Sequence, residues 1–549
     1  MPRVLRIHPA DDLILALEDL PAGARVELGA EAYELRDPVP AKHKFAARDF
    51  DAGAAVTMYG LPVGRTTCPI KRGARLTTEN LKHHAATASA RPEARAWSPP
   101  PYARLTGRTF QGFARPDGRV GTANHWIVVP LVFCEARNVM VLRDALRDEL
   151  GYRDDAAYRQ HARRLAERVR QGLRPDELLT LDLGAGVQAA ETPRLFSQVD
   201  GVQFLLHSMG CGGTRDDART LCGLLAGYLV HPNVAGATVL SLGCQNAQIS
   251  LLKEELAKRD PAYAKPLYIL EQQQLGTERA LMEAALKSTF AGLAAANQAR
   301  RSEASASKLV LGVECGGSDG FSGISANPVI GHASDLLVGA GGSVILSEFP
   351  ELCGVEDDLV RRCVDERVAA RFLDLMRAYA ARAAAVGSGF DANPSPGNIR
   401  DGLITDAMKS AGAARKGGSS PVTDVLDYPE RVTRPGLNLL CTPGGDIESV
   451  TAMVGAGANV VVFSTGLGTP TGNAVAPVLK LSTHTALAER MPDLIDFDAG
   501  PVVTGASGIP ALGEKLFEQI LETASGTYRA KADRLGQADF QPWKRGVSL

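Results

Sequence analysis

The clearest regularity in the chain is a series of short apolar runs, each of strand length and each closing on glycine or a small polar residue. Val202-Gln203-Phe204-Leu205-Leu206 leads into His207-Ser208-Met209-Gly210-Cys211, and Val239-Leu240-Ser241-Leu242 leads into Gly243-Cys244-Gln245. Leu309-Val310-Leu311-Gly312-Val313 leads into Glu314-Cys315-Gly316-Gly317-Ser318-Asp319. The same pattern returns at Val344-Ile345-Leu346-Ser347-Glu348, Leu439-Leu440-Cys441-Thr442 and Val460-Val461-Val462-Phe463-Ser464-Thr465-Gly466. Apolar runs of this kind suit strands covered on both faces. Residues 127–132 form another such run, while 156–170 and 216–229 have helical patterns. Strands alternating with helices predict mainly parallel sheets, with ligands gathered at the carboxyl ends of the strands.

The first eighty-odd residues are patterned differently. Leu20-Pro21-Ala22-Gly23-Ala24, Phe50-Asp51-Ala52-Gly53-Ala54 and Ile70-Lys71-Arg72-Gly73-Ala74 are variants of one phrase, and each precedes a short stretch such as Val56-Thr57-Met58-Tyr59. Glycine turns followed by strand formers predict a compact, loop-rich β module over 1–85. An Ala, Ser, Pro and Arg-rich stretch, ending near Ser98-Pro99-Pro100-Pro101, predicts a linker over 86–104. The remainder divides into α/β portions at 105–305 and 306–549.

Composition changes this picture little. The chain has 549 residues, enough for several domains. Its 60 basic and 62 acidic residues nearly cancel, so nothing points to nucleic acid or an anionic membrane. No apolar run has the length of a membrane span and the opening residues lack a signal-peptide pattern, so a cytoplasmic protein is expected. The nine cysteines form no C-x-x-C pair and are expected to be reduced. Nucleotide binding is set aside: no G-x-x-x-x-G-K-[ST] occurs, and Gly466, Gly468 and Gly472 have the wrong spacing for a dinucleotide loop.

Cys211, Cys244 and Cys315 each follow an apolar run and stand in a glycine-rich turn. A single cysteine there is ordinarily a small buried hydrophobe. With His207, Glu314 and Asp319 they offer the sulfur, nitrogen and oxygen donors a divalent transition metal takes. His43 and Lys44, and Glu79 with Asn80, belong to the β module, which could deliver them to a site at a domain interface. The loops at 393–398 and 415–420 read most simply as exposed turns. Functionally, Asn398 would hold hydroxyls and Lys416 a carboxylate. Lys480, inside an apolar stretch, is either a snorkelling side chain or a base of lowered pKa.

Taken in order, these phrases resemble the altronate/galactarate dehydratase family nearly end to end. The likeness is carried by His43-Lys44, Phe113-Ala114-Arg115-Pro116-Asp117-Gly118-Arg119-Val120-Gly121-Thr122, the 207–212 turn, His231-Pro232-Asn233, Gly243-Cys244, Cys315-Gly316-Gly317-Ser318-Asp319-Gly320 with Ser322-Gly323, the 393–398 loop and Lys480. The resemblance implies a β-clip module of the SAF type fused ahead of the catalytic part. It also implies a homo-oligomeric hydro-lyase, dependent on iron(II) or manganese(II), that converts a small sugar acid to a 2-keto-3-deoxy acid. Elimination of water needs the C2 proton removed while charge grows on the carboxylate, with His43, His207 or Lys480 as candidate bases. Lys44, Asn124, Ser318, Asp319, Ser322, Asn398 and Lys416 are the expected substrate contacts. Cys211, Cys244, Cys315 and Glu79 are the expected metal ligands.

The chain departs from the family pattern at several positions. Gly121-Thr122-Ala123-Asn124 lacks an arginine, Gln245 stands for a glutamate, Thr77-Thr78-Glu79-Asn80 replaces a paired-histidine phrase, and Leu467 replaces an arginine. Lost cationic positions favour a monocarboxylate over an aldarate. Other readings are a family lyase that expels sulfite, an iron-sulfur cluster on the three cysteines, or a scaffold that binds sugar acids without turning them over.

Overall fold

The computed structural model describes residues 3–549 apart from 85–87, 89–90, 94–95, 154–155 and 185–192. Every apolar run singled out above is a strand. Four of them, with three further strands, form one wholly parallel sheet, in the order Val422–Leu426, Gly436–Leu440, Ser343–Leu346, Val310–Cys315, Val460–Thr465, Val478–Ser482, Phe497–Asp498. A second parallel sheet has four strands, in the order Gly201–Phe204, His125–Pro130, Val234–Ser241, Leu267–Glu271. The expected helices lie at Ala156–Arg170 and Arg215–Val230.

The central strands are apolar throughout because helices cover both faces. Val234–Ser241 and Val460–Thr465 are buried at every position. One core joins the two sheets: Leu221, Leu224 and Tyr228 of the Arg215–Val230 helix pack with Met453, Val461 and Phe463 of the seven-stranded half. The Tyr228 hydroxyl donates to the Thr451 carbonyl at 3.1 Å, so its polar end is satisfied inside that core. A three-stranded antiparallel ribbon, Val120–Gly121, Thr109–Ala114 and Ser302–Ser305, closes the four-stranded unit where the chain enters and leaves it.

The amino-terminal module is built of short antiparallel ladders, with Gly23, Gly53 and Gly73 all in the left-handed region that their turns require. It is not a free appendage. Phe50, Val56, Met58, Tyr59 and Val63 belong to the same core as Ile324, Ile404 and Met408 of the carboxyl-terminal half. That shared core sets the module against the carboxyl ends of the seven-stranded sheet. No helix among the described residues is long and apolar enough to cross a membrane.

Candidate active site

The carboxyl end of the central strand Val310–Cys315 opens into the glycine-rich loop 316–323, and the module presses on that loop directly. A β-carbon at Gly320 would collide with the Lys42 carbonyl, and one at Gly323 with the Tyr59 hydroxyl. Only glycine permits this approach. Between the two surfaces lies a narrow cavity, lined by Tyr59 of the module and by Cys315, Ser318, Asp319, Ser322 and Lys409 of the carboxyl-terminal half.

One wall is a buried charge cluster. Cys315 and Glu314 end their strand, and Glu348 and Glu351 follow Ser343–Leu346 next to it. Lys416 Nζ donates to Cys315 Sγ at 2.8 Å and to Glu348 Oε2 at 2.6 Å. Lys409 Nζ meets Glu351 Oε1 at 2.6 Å and donates to Asn393 Oδ1 at 2.8 Å. The Cys315 thiol points at Glu351 Oε2, 3.3 Å away. Burial and the neighbouring Glu348 push the Glu314 carboxyl well above the usual range. Burial opposes ionisation of Glu351 too, but Lys409 and Lys416 outweigh it and hold that carboxyl below its ordinary value. Asp446 stands beside Gly316, and burial with the charges of Glu348 and Glu351 raises it to about 7.

The facing wall is organised by Asp319. Its carboxylate accepts from Lys42 Nζ at 2.9 Å, from Thr483 Oγ1 at 3.0 Å and from Ser322 Oγ at 3.0 Å. Lys42 also reaches Asp401 at 3.0 Å, and Lys44 Nζ donates to the Gly402 carbonyl at 2.6 Å. Burial lowers Lys44 to about 7. Asn398 donates to the Ser318 carbonyl at 2.8 Å, linking the 393–398 turn to the loop. The Ser318 hydroxyl itself is buried and unpartnered.

Backbone strain marks the same place. Among the described residues, Lys42, Tyr59 and Glu348 are the non-glycine residues with positive φ, at 74°, 61° and 63°. Such conformations cost on the order of 1–3 kcal/mol each and persist where the surroundings enforce them, commonly at ligand sites. All three border this cavity or its charge cluster.

The donor set fits a divalent transition metal. Cys315, Glu348 and Glu351 offer one sulfur and two oxygens within 4.8 Å of one another. Glu314 Oε1 and Glu348 Oε1 are buried without a hydrogen-bond partner. Glu314, Glu348, Glu351, Asp446 and the Cys315 thiol outnumber the two ammonium groups of Lys409 and Lys416, so the cluster has acid to spare for a cation.

His43, Lys44, Cys315, Ser318, Asp319, Ser322, Asn398 and Lys416 therefore meet in one neighbourhood, with the His43 imidazole held at its edge by the Arg400 carbonyl, 2.9 Å away. The other expected residues lie elsewhere. His207 follows the Gly201–Phe204 strand of the four-stranded sheet, its Nε2 2.6 Å from the Pro130 carbonyl, and burial lowers it to about 4. Cys211 and Cys244 are exposed on the turns of that same sheet and join no group of metal donors among the described residues, and Glu79 is exposed in the module. The four expected metal ligands are thus not brought together: Cys315 shares its donors with Glu348 and Glu351. The same separation leaves no three-cysteine nest for an iron-sulfur cluster. Asn124 is structural, its amide bonded to the Gln198 and Ala296 carbonyls at 2.8 and 3.0 Å.

Lys480 is fully buried and donates to Gln537 at 2.6 Å; burial lowers it to about 8. Gln537 lines a larger cleft of about 270 Å³ beside His125 and Gly201. Those two residues begin their strands, so this cleft borders the amino ends of the four-stranded sheet, opposite to where parallel sheets place ligands.

Sequence reading passed over Glu351, Lys409, Asp446 and Tyr59. Lys409 carried a faint signal, as a lysine inside the otherwise small and apolar helix Asp406–Ala413. The loops at 393–398 and 415–420 are not the exposed turns that their composition favoured, since Asn398 and Lys416 are buried.

Comparison with known proteins accounts for this arrangement from end to end. Residues 2–84 match the altronate/galactarate dehydratase SAF domain. Residues 112–297 match the second domain of D-galactarate dehydratase/altronate hydrolase, and 306–548 the C-terminal domain of D-galactarate/altronate dehydratase. Altronate dehydratase of Escherichia coli (strain K12) is 32% identical over 545 residues, 99% of each chain. Altronate dehydratase of Bacillus subtilis (strain 168) is 32% identical over 549 residues, the whole of both. Galactarate dehydratase (L-threo-forming) of Escherichia coli (strain K12) is 32% identical over 541 residues, 97% of this chain and 94% of the relative. With its module, its second domain and its cavity-bearing carboxyl-terminal half each matched in order, the chain belongs to the altronate/galactarate dehydratase family.

Proposed function

We propose that the chain is a hydro-lyase that removes water from an aldonate, a sugar acid with one carboxylate, to give a 2-keto-3-deoxy acid. The observation that carries this reading is the cavity at the module seam, where hydroxyl, amide and ammonium groups face a buried set of metal donors. Cys315, Glu348 and Glu351 would hold the metal, iron(II) or manganese(II). When bound, it supplies Lewis-acid stabilisation of the charge that grows as the C2 proton departs.

The chain's own groups supply the rest. Lys409 stays charged against Glu351 and presents an ammonium to the substrate carboxylate. The unpartnered Ser318 hydroxyl and Ser322 are placed for substrate hydroxyls. Proton transfer needs groups that change charge near neutrality. Lys44 on one wall and Asp446 beside the other meet that condition, both near 7, with His43 at the edge as a third candidate. Burial raises the Tyr59 phenol to about 12, so it remains a hydrogen-bond donor to a departing hydroxyl.

The test is an anaerobic screen of the iron(II)- or manganese(II)-loaded chain against aldonates, aldarates and sulfolactate, with 2-keto acid and sulfite both measured. Turnover of an aldonate supports the proposal, and sulfite release would make the chain a different lyase. Tight sugar-acid binding with no product would show a scaffold that binds and does not react.

A further inference from the structure

A second group of metal donors lies outside the cavity. His83 stands directly after the module's last strand, Leu81–Lys82. Cys353 ends the turn Phe349–Leu352 that carries Glu351, and Asp406 opens the helix Asp406–Ala413 that carries Lys409. One donor atom from each of the three lies within 4.8 Å of the other two. Cys353 Sγ is 4.0 Å from His83 Nε2, and the Ala407 amide donates to His83 Nδ1 at 3.3 Å, a long contact that an ion on Nε2, with the ring proton moved to Nδ1, would replace.

The electrostatics around this group call for a cation. Asp406 is 1% exposed, and its Oδ2 has no hydrogen-bond partner. Its other oxygen accepts a long 3.4 Å bond from Ser410, and the Cys353 thiol lies close enough to donate to the carboxylate. Glu356 and Asp391 add negative charge around Cys353, as Glu351 and Glu356 do around Asp406, and Lys409 is the cation that opposes them at Asp406. A buried carboxyl with an open oxygen, beside a thiol and an imidazole, is costly unless a shared positive charge satisfies it.

We propose that His83, Cys353 and Asp406 form a divalent transition-metal site of the zinc class that clasps the amino-terminal module to the turn carrying Glu351. Nitrogen, sulfur and oxygen donors in one compact set are the chemistry zinc takes, and three protein ligands leave a fourth position for water. Binding releases the thiol proton to solvent and places thiolate and carboxylate on the ion. Because Cys353 lies two residues after Glu351, and Asp406 three before Lys409, an occupied site holds both supports of the catalytic cluster in place. The clasp stands or falls independently of which sugar acid the cavity takes.

The full chain, stripped with EDTA, would be titrated anaerobically with zinc(II) and with cobalt(II). Wild type would be compared with Cys353→Ser, His83→Ala, Asp406→Asn and Cys315→Ser, and far-ultraviolet circular dichroism would report folding. Each of the first three is expected to lose one tightly bound equivalent, and Cys353→Ser to lose one thiolate-to-cobalt absorption band that Cys315→Ser retains. Equal stoichiometry in wild type and the three clasp variants would overturn the site, as would a cobalt band lost only in Cys315→Ser. If Cys353→Ser does not fold, the metal counts of His83→Ala and Asp406→Asn decide the question.

Discussion

The two parallel sheets put very different chemistry at their carboxyl ends, although the sequence approaches both in the same way. Each has a strand that runs into glycine and cysteine: Cys244 on one, Cys315 on the other. On the four-stranded sheet the cysteines are exposed and His207 is a neutral, half-buried prop on the Pro130 carbonyl. On the seven-stranded sheet Cys315 is sealed in with carboxyls and ammonium groups. The difference comes from what covers each end. The amino-terminal module roofs the seven-stranded sheet and excludes water from its charges, and burial is what turns a cysteine turn into a coupled charge cluster.

The contrast can be broken most severely at Lys416. Lys416→Met strands Glu348 and Cys315 without their cation. It should destabilise the fold by about 3–5 kcal/mol in urea unfolding, the scale for removing one member of a buried pair. Cys244→Ala on the exposed turn should stay within about 0.5 kcal/mol of wild type. Comparable losses would mean that the two ends are not electrostatically different.

The next effect is catalytic. Glu348→Gln should lower kcat/KM on the best aldonate by about 100-fold or more, the scale for deleting one preorganised charge from an active site. Cys211→Ser should change it less than about twofold. A large loss in Cys211→Ser would move the site toward the four-stranded sheet.

The smallest effect sharpens the role of buried histidine in the four-stranded half. His231 is 1% exposed, with Nε2 3.0 Å from the Ala458 carbonyl, and burial lowers it to about 3. The unfolded histidine takes a proton near pH 6.5 and the folded one does not until about pH 3. Stability is therefore fully present above pH 6.5 and falls as the solution is acidified through that window. The slope should approach about 1.4 kcal/mol per pH unit. Urea midpoints measured from pH 7 to 5 should decline more steeply for wild type than for His231→Gln, and parallel slopes would remove His231 as the cause.

Much of the fold was legible because burial on both faces writes strands as apolar runs. Six of the parallel strands after 200 were found that way, though not Leu267–Glu271, Val422–Leu426 or the two strands after 477, and so was the glycine-turn rhythm of the module. The site was legible in part. Ser318, Asp319, Ser322 and Cys315 share one loop, so proximity in sequence guaranteed proximity in space. Lys416 and Asn398 were singled out, but composition could not show that a buried glutamate and a loop carbonyl would enclose them. Cys211 and Cys244 were grouped with Cys315 on local likeness, and local likeness carries no information about which sheet a turn caps.

By itself, then, the sequence determined the alternation of strand and helix, the parallel sheets, the separate β module and the order of family phrases. These follow from local periodicity and from turns that need glycine. Tertiary structure alone decided the site's membership. Glu348 with Glu351, Lys409, Asp446 and Tyr59 come from four different segments, and the charges on them are set by burial and by one another. Neither quantity exists until the module closes over the sheet.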